Sequence, residues 1–377
     1  MAALILYRPA EHEPLTAEPW DEERVRAAIA AVVAEAESAL LDDGLWPANE
    51  RDVDEGDVPP FTVVYLGAAG VAWALAELGS HLDVGPLVER ALERYRERPD
   101  LGEAIPSTLV GESGLLRVLE RFAPDPVRRE RLRECVAANV RNESLELLWG
   151  APGTMLAVES LDGFDDLWLD SADALWEAWD DAVWTQQIAG RSDRLLGAAH
   201  GFVGNVRALA GRPDLLGAER LAELERRTVA VLADEALHDR GLVNWPPSEG
   251  ERRPDKIRLQ WCHGAPGVIA STVTLAPAND DLTALLVAGG ELTWAAGPLR
   301  KGPGICHGTA GNGYAFLKLW RRTGDDRWLE RARAFAMHAI GQLEGRRFSL
   351  WTGDTGAAVY LRSCLEGDAR VPTIDYW

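Results

Sequence analysis

The sequence predicts an all-α fold: an α/α toroid in which seven inner helices stand inside an outer ring of seven. Three observations carry that expectation. First, a G-x-x-G followed by an apolar, helix-spaced segment recurs seven times: LGAAGVAWAL at Gly67, VGESGLLRVL at Gly111, WGAPGTMLAV at Gly150, HGFVGNVRAL at Gly201, HGAPGVIAST at Gly264, HGTAGNGYAF at Gly308 and TGDTGAAVYL at Gly353. The first glycines are 44, 39, 51, 63, 44 and 45 residues apart, and a period near 45 is a repeat signature. Second, charged amphipathic segments precede the glycine turns, such as 88–98, 220–237 and 326–343; they read as solvent-facing helices, whereas the segments after the glycines carry few charges and read as buried ones. Third, the last copy is as apolar as the middle ones, whereas an open solenoid ends in a polar cap, so closure into a ring is favoured.

Between these elements, residues 41–62 and 241–257 read as polar loops, and no strand alternation shows outside short loop pieces. The period runs past both loops, so one domain over 1–377 is expected. Glycine at each turn lets backbones approach closely and frees amides at the inner helix starts, where they are placed to stabilise developing negative charge.

Composition bounds the function. With 39 basic and 60 acidic residues the net charge is −21, which disfavours nucleic acid and anionic membrane as partners. The beginning of the sequence lacks a basic, cleavable leader pattern, and no run approaches the ~20 apolar residues of a membrane span. Four cysteines are too sparse for a disulfide framework, so free thiols in a cytoplasmic setting are expected. In that setting a Cys beside a His points to metal binding or catalysis. Cys364 falls on the last inner helix as core, and Cys135 on an outer helix as a half-buried small hydrophobe. Trp149, Trp261 and Trp351 sit near the turns, placed to line the channel mouth.

Aligning the copies on the first glycine concentrates the chemistry. Two residues before it stand Tyr65, Leu109, Leu148, Ala199, Cys262, Cys306 and Trp351; one before it stand Leu66, Val110, Trp149, His200, His263, His307 and Thr352. In a closed ring these positions face one end of a common channel. Two thiolates and an imidazole suit Zn2+, and three protein ligands leave a fourth position open, as in catalytic sites. Cys262, Cys306 and His307 are the expected ligands, with His263 as the competing imidazole. His200, one repeat earlier, is the candidate general acid/base. Four residues before the glycine stand Val63, Ser107, Glu146, Gly197, Gln260, Gly304 and Ser349; Glu146 is the charged residue of that register, placed to orient His200.

WCHGAPG (261–267), ICHGTAGNGYAFL (305–317) and GAAHG (197–201) resemble the lanthionine synthetase C-like (LanC-like) family, and the resemblance covers nearly the whole chain. It is closer to the stand-alone, eukaryotic-type branch than to the dedicated lantibiotic cyclases, which often carry Tyr where this chain has His263 and Asp where it has Glu146. The resemblance implies a seven-fold α/α toroid, zinc held by Cys262, Cys306 and His307, and His200 as the acid/base. It matches Arg258 to a cyclase arginine and Lys301 to a lysine that helps hold glutathione. The implied reaction adds a thiol, glutathione in this branch, to dehydroalanine or dehydrobutyrine in a polypeptide. A lanthipeptide cyclase closing intramolecular rings, and a non-catalytic zinc- and thiol-binding module, are the alternatives.

Overall fold

The computed structural model describes residues 5–53, 60–180 and 182–377. Residues 54–59 of the expected 41–62 loop lie outside the described residues. The helices pair in chain order, outer then inner: α1 (Glu22–Ser38) with α2 (Ala68–Glu77), α3 (Val84–Glu97) with α4 (Glu112–Phe122), α5 (Pro126–Asn139) with α6 (Ala151–Val158), and α7 (Asp165–Glu177) with α8 (Phe202–Ala210). After the short α9 (Pro213–Leu216) come α10 (Ala218–Glu235) with α11 (Ala265–Thr272), α12 (Asp280–Ala296) with α13 (Thr309–Thr323), and α14 (Arg327–Gly341) with α15 (Asp354–Glu366). Each inner helix packs on the next, and α15 packs back on α2, so the ring is closed. This is the seven-fold α/α toroid that the repeat predicts.

The two rings begin their helices differently. Four of the seven outer helices start at polar caps: Asp21, Asp83, Asp125 and Asn279 accept backbone N–H groups of their own first turns. Every inner helix starts at a glycine with no side-chain cap. In five of the seven the first amide is satisfied by the carbonyl seven residues earlier, as in Ala68 to Phe61, Phe202 to Leu195, Thr309 to Gly302 and Asp354 to Arg347. The loop therefore folds back over the helix start. Space for that comes from the second glycine of each G-x-x-G: a Cβ there would lie between 1.7 Å (Gly356) and 2.3 Å (Gly204) from the carbonyl oxygen six residues before it. The expectation that these amides are free to stabilise negative charge is corrected by this arrangement. At the starts of α8 and α13 the loop carbonyls occupy them, and at α11 the Ala265 amide donates to Asn244 Oδ1 at 2.8 Å.

Between the rings the packing is aromatic. Phe316 of α13 meets Phe335 of α14 at 4.9 Å and Trp328 at 6.0 Å between ring centroids. Such pairs add about 0.5–1.5 kcal/mol each beyond the area they bury. Cys364 is fully buried on α15, as expected, and Cys135 is buried on α5 against Glu112, more deeply than its predicted half-burial.

Two short antiparallel hairpins interrupt the helices: β1 (Gln186–Ile188) with β2 (Arg191–Asp193), and β3 (Leu237–Asp239) with β4 (Leu242–Asn244). Each turns on two residues of positive φ, Ala189-Gly190 and Arg240-Gly241, the backbone that a two-residue hairpin demands. The reading of 241–257 as polar loop is thus corrected at its start. Asn244 and Trp245 are buried, the indole donates to Leu232 O, and Asn244 Nδ2 holds the carbonyls of Leu6 and Arg258. After α15 the chain turns into the ring below the glycine turns. Tyr376 packs on Trp73, the Arg117 guanidinium lies over Trp377, and Asp375 binds Lys318 at 2.7 Å and Arg207 at 3.0 Å.

Candidate active site

The glycine turns are stitched to one another through the register two residues before the glycine. Cys262 N–H donates to Cys306 O, Cys306 N–H to Trp351 O, Trp351 N–H to Tyr65 O and Tyr65 N–H to Leu109 O, at 2.8 to 3.3 Å. These backbone bonds bring residues 44 positions apart side by side, and the consequence is that the thiols of Cys262 and Cys306 hydrogen-bond to each other. Both cysteines are buried. Cys262 is the acceptor: the Cys306 thiol holds its pKa down against desolvation, helped by Gln260, while the same contact and burial push Cys306 well up. The Tyr65 hydroxyl reaches Cys306, and the buried phenol is itself raised by desolvation and by the thiols.

Facing this pair is the dyad the register predicts. The Glu146 carboxylate is fully buried, accepts the N–H groups of Leu148 and Trp149, and lies 2.8 Å from His200 Nδ1. Burial alone would lower the His200 pKa; the Glu146 hydrogen bond and charge, with the nearby Cys262 sulfur, outweigh it and leave the pKa raised. The imidazole is therefore held toward its protonated form, with Nδ1 engaged and Nε2 left for a reacting group. His200 is about a third exposed.

His263 lies parallel to His200, with ring centroids 6.0 Å apart. Desolvation, then the positive charges of His200, Arg258 and Lys301, push its pKa down to about 3, so it is neutral. Its Nδ1 is buried without a hydrogen-bond partner among the described residues and faces Gly197. A Cβ at Gly197 would meet that nitrogen at 2.7 Å and the Cys262 carbonyl oxygen at 2.2 Å, which accounts for the glycine in GAAHG.

His307 follows Cys306 in the chain, but among the described residues no three His, Cys, Asp or Glu side chains close into a metal-binding group. Its pKa is lowered to about 4, chiefly by desolvation and by Arg347 and Lys301, so it too is a neutral imidazole with a lone pair to offer. Arg258 is folded onto its own loop, donating to the carbonyls of Asp255 and Ile257, with Glu11 3.9 Å away. It reaches the site through its charge on His263 rather than by contact with the thiols. The Lys301 ammonium donates to Gln260 Oε1 at 2.9 Å. Trp261 and Trp351 are buried under the turns, tilted against each other with ring centroids 4.7 Å apart; they form the floor and do not line the mouth as expected, while Trp149 is half-buried.

Sequence reasoning missed Gln260, Tyr65 and the N-terminal arm. Gln260 shares the register of Glu146, and Tyr65 that of the cysteines, so both were visible as positions without a role. The arm was not: Glu13 N–H donates to Pro298 O and Arg300 N–H to Glu11 O, laying residues 11–13 along the segment that leads to Lys301. Nothing in its composition marks that contact.

The lanthionine synthetase C-like protein family matches residues 57–375. The chain belongs to that family. Among curated LanC-like relatives, a Danio rerio protein named glutathione S-transferase LANCL1 is 27% identical over 365 residues, covering 87% of this chain and 86% of its own length. An Arabidopsis thaliana LanC-like protein GCL1 is 36% identical over 148 residues, 38% of this chain and 32% of that protein. Both are eukaryotic stand-alone LanC-like proteins, the branch the sequence motifs indicate. Nisin cyclase has the same fold, with a TM-score of 0.62 at 13% identity over 90% of this chain and 94% of that one. Among the described residues of this LanC-like chain, no helix is long and apolar enough to cross a membrane.

Proposed function

We propose that this chain is a cytoplasmic enzyme that adds a thiol, glutathione foremost, to dehydroalanine or dehydrobutyrine residues in polypeptides, forming a thioether. The observation that carries the reading is the paired sulfurs of Cys262 and Cys306 set opposite the His200–Glu146 dyad. Two buried thiols in contact, one held as acceptor, are a soft donor pair that fits Zn2+, and the neutral imidazole of His307 completes the set the motifs imply. When bound, zinc supplies a thiolate nucleophile at neutral pH from a thiol whose pKa is otherwise about 8.5.

The residues of the chain do the rest. Lys301 offers an ammonium to a carboxylate of the incoming thiol compound. As sulfur bonds to the β-carbon, the alkene π pair moves onto the α-carbon and the adjacent carbonyl. The thiol's own proton leaves to solvent as its sulfur adds; His200, held toward its protonated form by Glu146, gives its proton to the α-carbon and regains one from solvent, so the proton count closes. No oxidant or reductant is consumed: the thiol's hydrogen and sulfur add across one double bond. Neutral His263 packs beside His200 and adds no competing charge, and Arg258 biases the same region toward negative intermediates.

The test joins metal content to product. Purified protein and Cys306→Ala are assayed for zinc, and a dehydroalanine peptide is incubated with glutathione and read by mass spectrometry. One zinc per chain, lost in the variant, with a glutathione adduct on the peptide, supports the reading. Ring closure in a Cys-containing dehydropeptide without glutathione would reassign the chain as a cyclase. Zinc with neither product would leave a binding module, and no zinc would sink the mechanism.

A further inference from the structure

Gln260 has no role in the reaction as described, yet it is the side chain most tightly built into the sulfur pair. Its backbone and that of His263 exchange hydrogen bonds, Gln260 N–H to His263 O at 3.0 Å and His263 N–H to Gln260 O at 3.1 Å, closing a tight turn with Trp261 and Cys262 at its tip. Its side chain is buried, with 6% of the residue exposed. Nε2 donates to Cys262 Sγ at 2.9 Å, and Oε1 accepts from Lys301 Nζ at 2.9 Å.

The amide orientation follows from chemistry. An ammonium only donates, so the atom facing Lys301 must be the oxygen, which turns the NH2 toward the sulfur. Lys301 therefore fixes Gln260, and Gln260 fixes the direction in which the Cys262 sulfur can offer its remaining lone pairs. An N–H donor on a ligating sulfur also withdraws electron density from it. Groups that orient a ligand in this way typically change metal affinity about 10–100-fold when removed.

We propose that Gln260, braced by Lys301, is a positioning residue that orients and electronically tunes the Cys262 sulfur toward a soft metal ion. This rests on the metal reading above. It also gives Lys301 a second task, coupling the place where a substrate carboxylate would bind to a metal-ligating sulfur.

Cobalt(II) exchanged into the full-length protein tests it without reference to turnover. The thiolate-to-cobalt absorption band and the rate of metal release to a chromophoric chelator are compared in wild type, Gln260→Leu, Gln260→His and Lys301→Met. The expected result is a band moved to longer wavelength and release about 10–100-fold faster in Gln260→Leu. Gln260→His, which keeps an N–H donor, brings both back toward wild type, and Lys301→Met moves both the same way by less. Unchanged band and release in Gln260→Leu overturn the inference. Should that variant fail to fold, Lys301→Met decides, since Lys301 lies outside the turn and its loss frees the Gln260 amide from its brace without removing it, and an unmoved band there overturns it equally. A wild type that takes up no cobalt overturns the metal reading and this inference with it; uptake with unmoved bands overturns this inference alone.

Discussion

Replacing Asp375 with Asn removes the centre of the tail that fills the ring. The carboxylate sits between Lys318 and Arg207 and accepts the Val371 N–H at 2.7 Å, and the side chains of all three charged residues are about one-tenth exposed. Although desolvation opposes ionisation, Lys318 and Arg207 outweigh it and bring the pKa from 3.8 to about 2. A depressed carboxyl pKa contributes stability that is complete above the unfolded value and lost as pH falls through the folded one. The difference corresponds to roughly 2 kcal/mol at pH 7, of which about 1 kcal/mol is gone by pH 3. In Asp375→Asn, Lys318 is left buried without an ion-pair partner while Arg207 keeps Glu159 at 3.0 Å. The cost expected at pH 7 is therefore near 3 kcal/mol, the lower end for breaking a buried pair. Urea unfolding of both proteins at pH 7, 5, 4 and 3 measures it. The gap should hold from pH 7 to 5 and narrow by about 1 kcal/mol by pH 3. A gap below about 0.5 kcal/mol at pH 7, the size of an ordinary surface substitution, would refute the reasoning. So would one that does not narrow.

Three further outcomes concern the site. Glu146→Gln removes the charge that raises the His200 pKa, so the alkaline limb of the thioether-forming rate should move to lower pH and the rate at pH 7 fall by about 100-fold; an unmoved limb argues against His200 as the proton donor. Lys301→Met should raise the KM for glutathione about 10-fold, the worth of one charge-assisted hydrogen bond, with a smaller effect on kcat, which steady-state kinetics at fixed peptide will show. Gly197→Ala drives a methyl group into the Cys262 carbonyl and His263 Nδ1, so a loss of about 1–3 kcal/mol in stability is expected, together with metal content below one per chain.

The ring was legible because its cause is periodic. A carbonyl six residues before the second glycine leaves no room for a Cβ in any of the seven repeats, so the glycine spacing writes the loop directly into the sequence. The register of Cys262, Cys306, His200 and Glu146 was legible for the same reason. What stayed hidden is what lacks a repeat. The N-terminal arm reaches residues 285 or more positions away through backbone hydrogen bonds and the side chains of His12 and Glu13, pairings too distant to leave a local pattern. The tail folds into the ring through Asp375, whose partners Lys318 and Arg207 look like ordinary solvated charges on their helices until the fold brings them together. Trp245 was hidden by its neighbours: Pro-rich, charged residues follow it, yet the indole is buried under α10 through its bond to Leu232 O.

A seven-fold ring offers seven equivalent turns, yet the chemistry collects in neighbouring ones, and the register four residues before the glycine explains how. In one repeat it is Glu146, which crosses to His200 of the next turn. In the next it is Gly197, empty because the Cys262 carbonyl and His263 of the following repeat occupy the space. In the third it is Gln260, which reaches the Cys262 sulfur two residues on. The same position thus serves as support, as clearance and as support again, and each choice makes sense only through the turn beside it. The backbone bond from Cys262 to Cys306 then joins the third turn to the fourth. A ring whose inner helices hold these turns in fixed order lets single substitutions in one register specialise one arc, while the remaining turns, with Leu109 and Trp351 in the place of the cysteines, keep to closing the barrel.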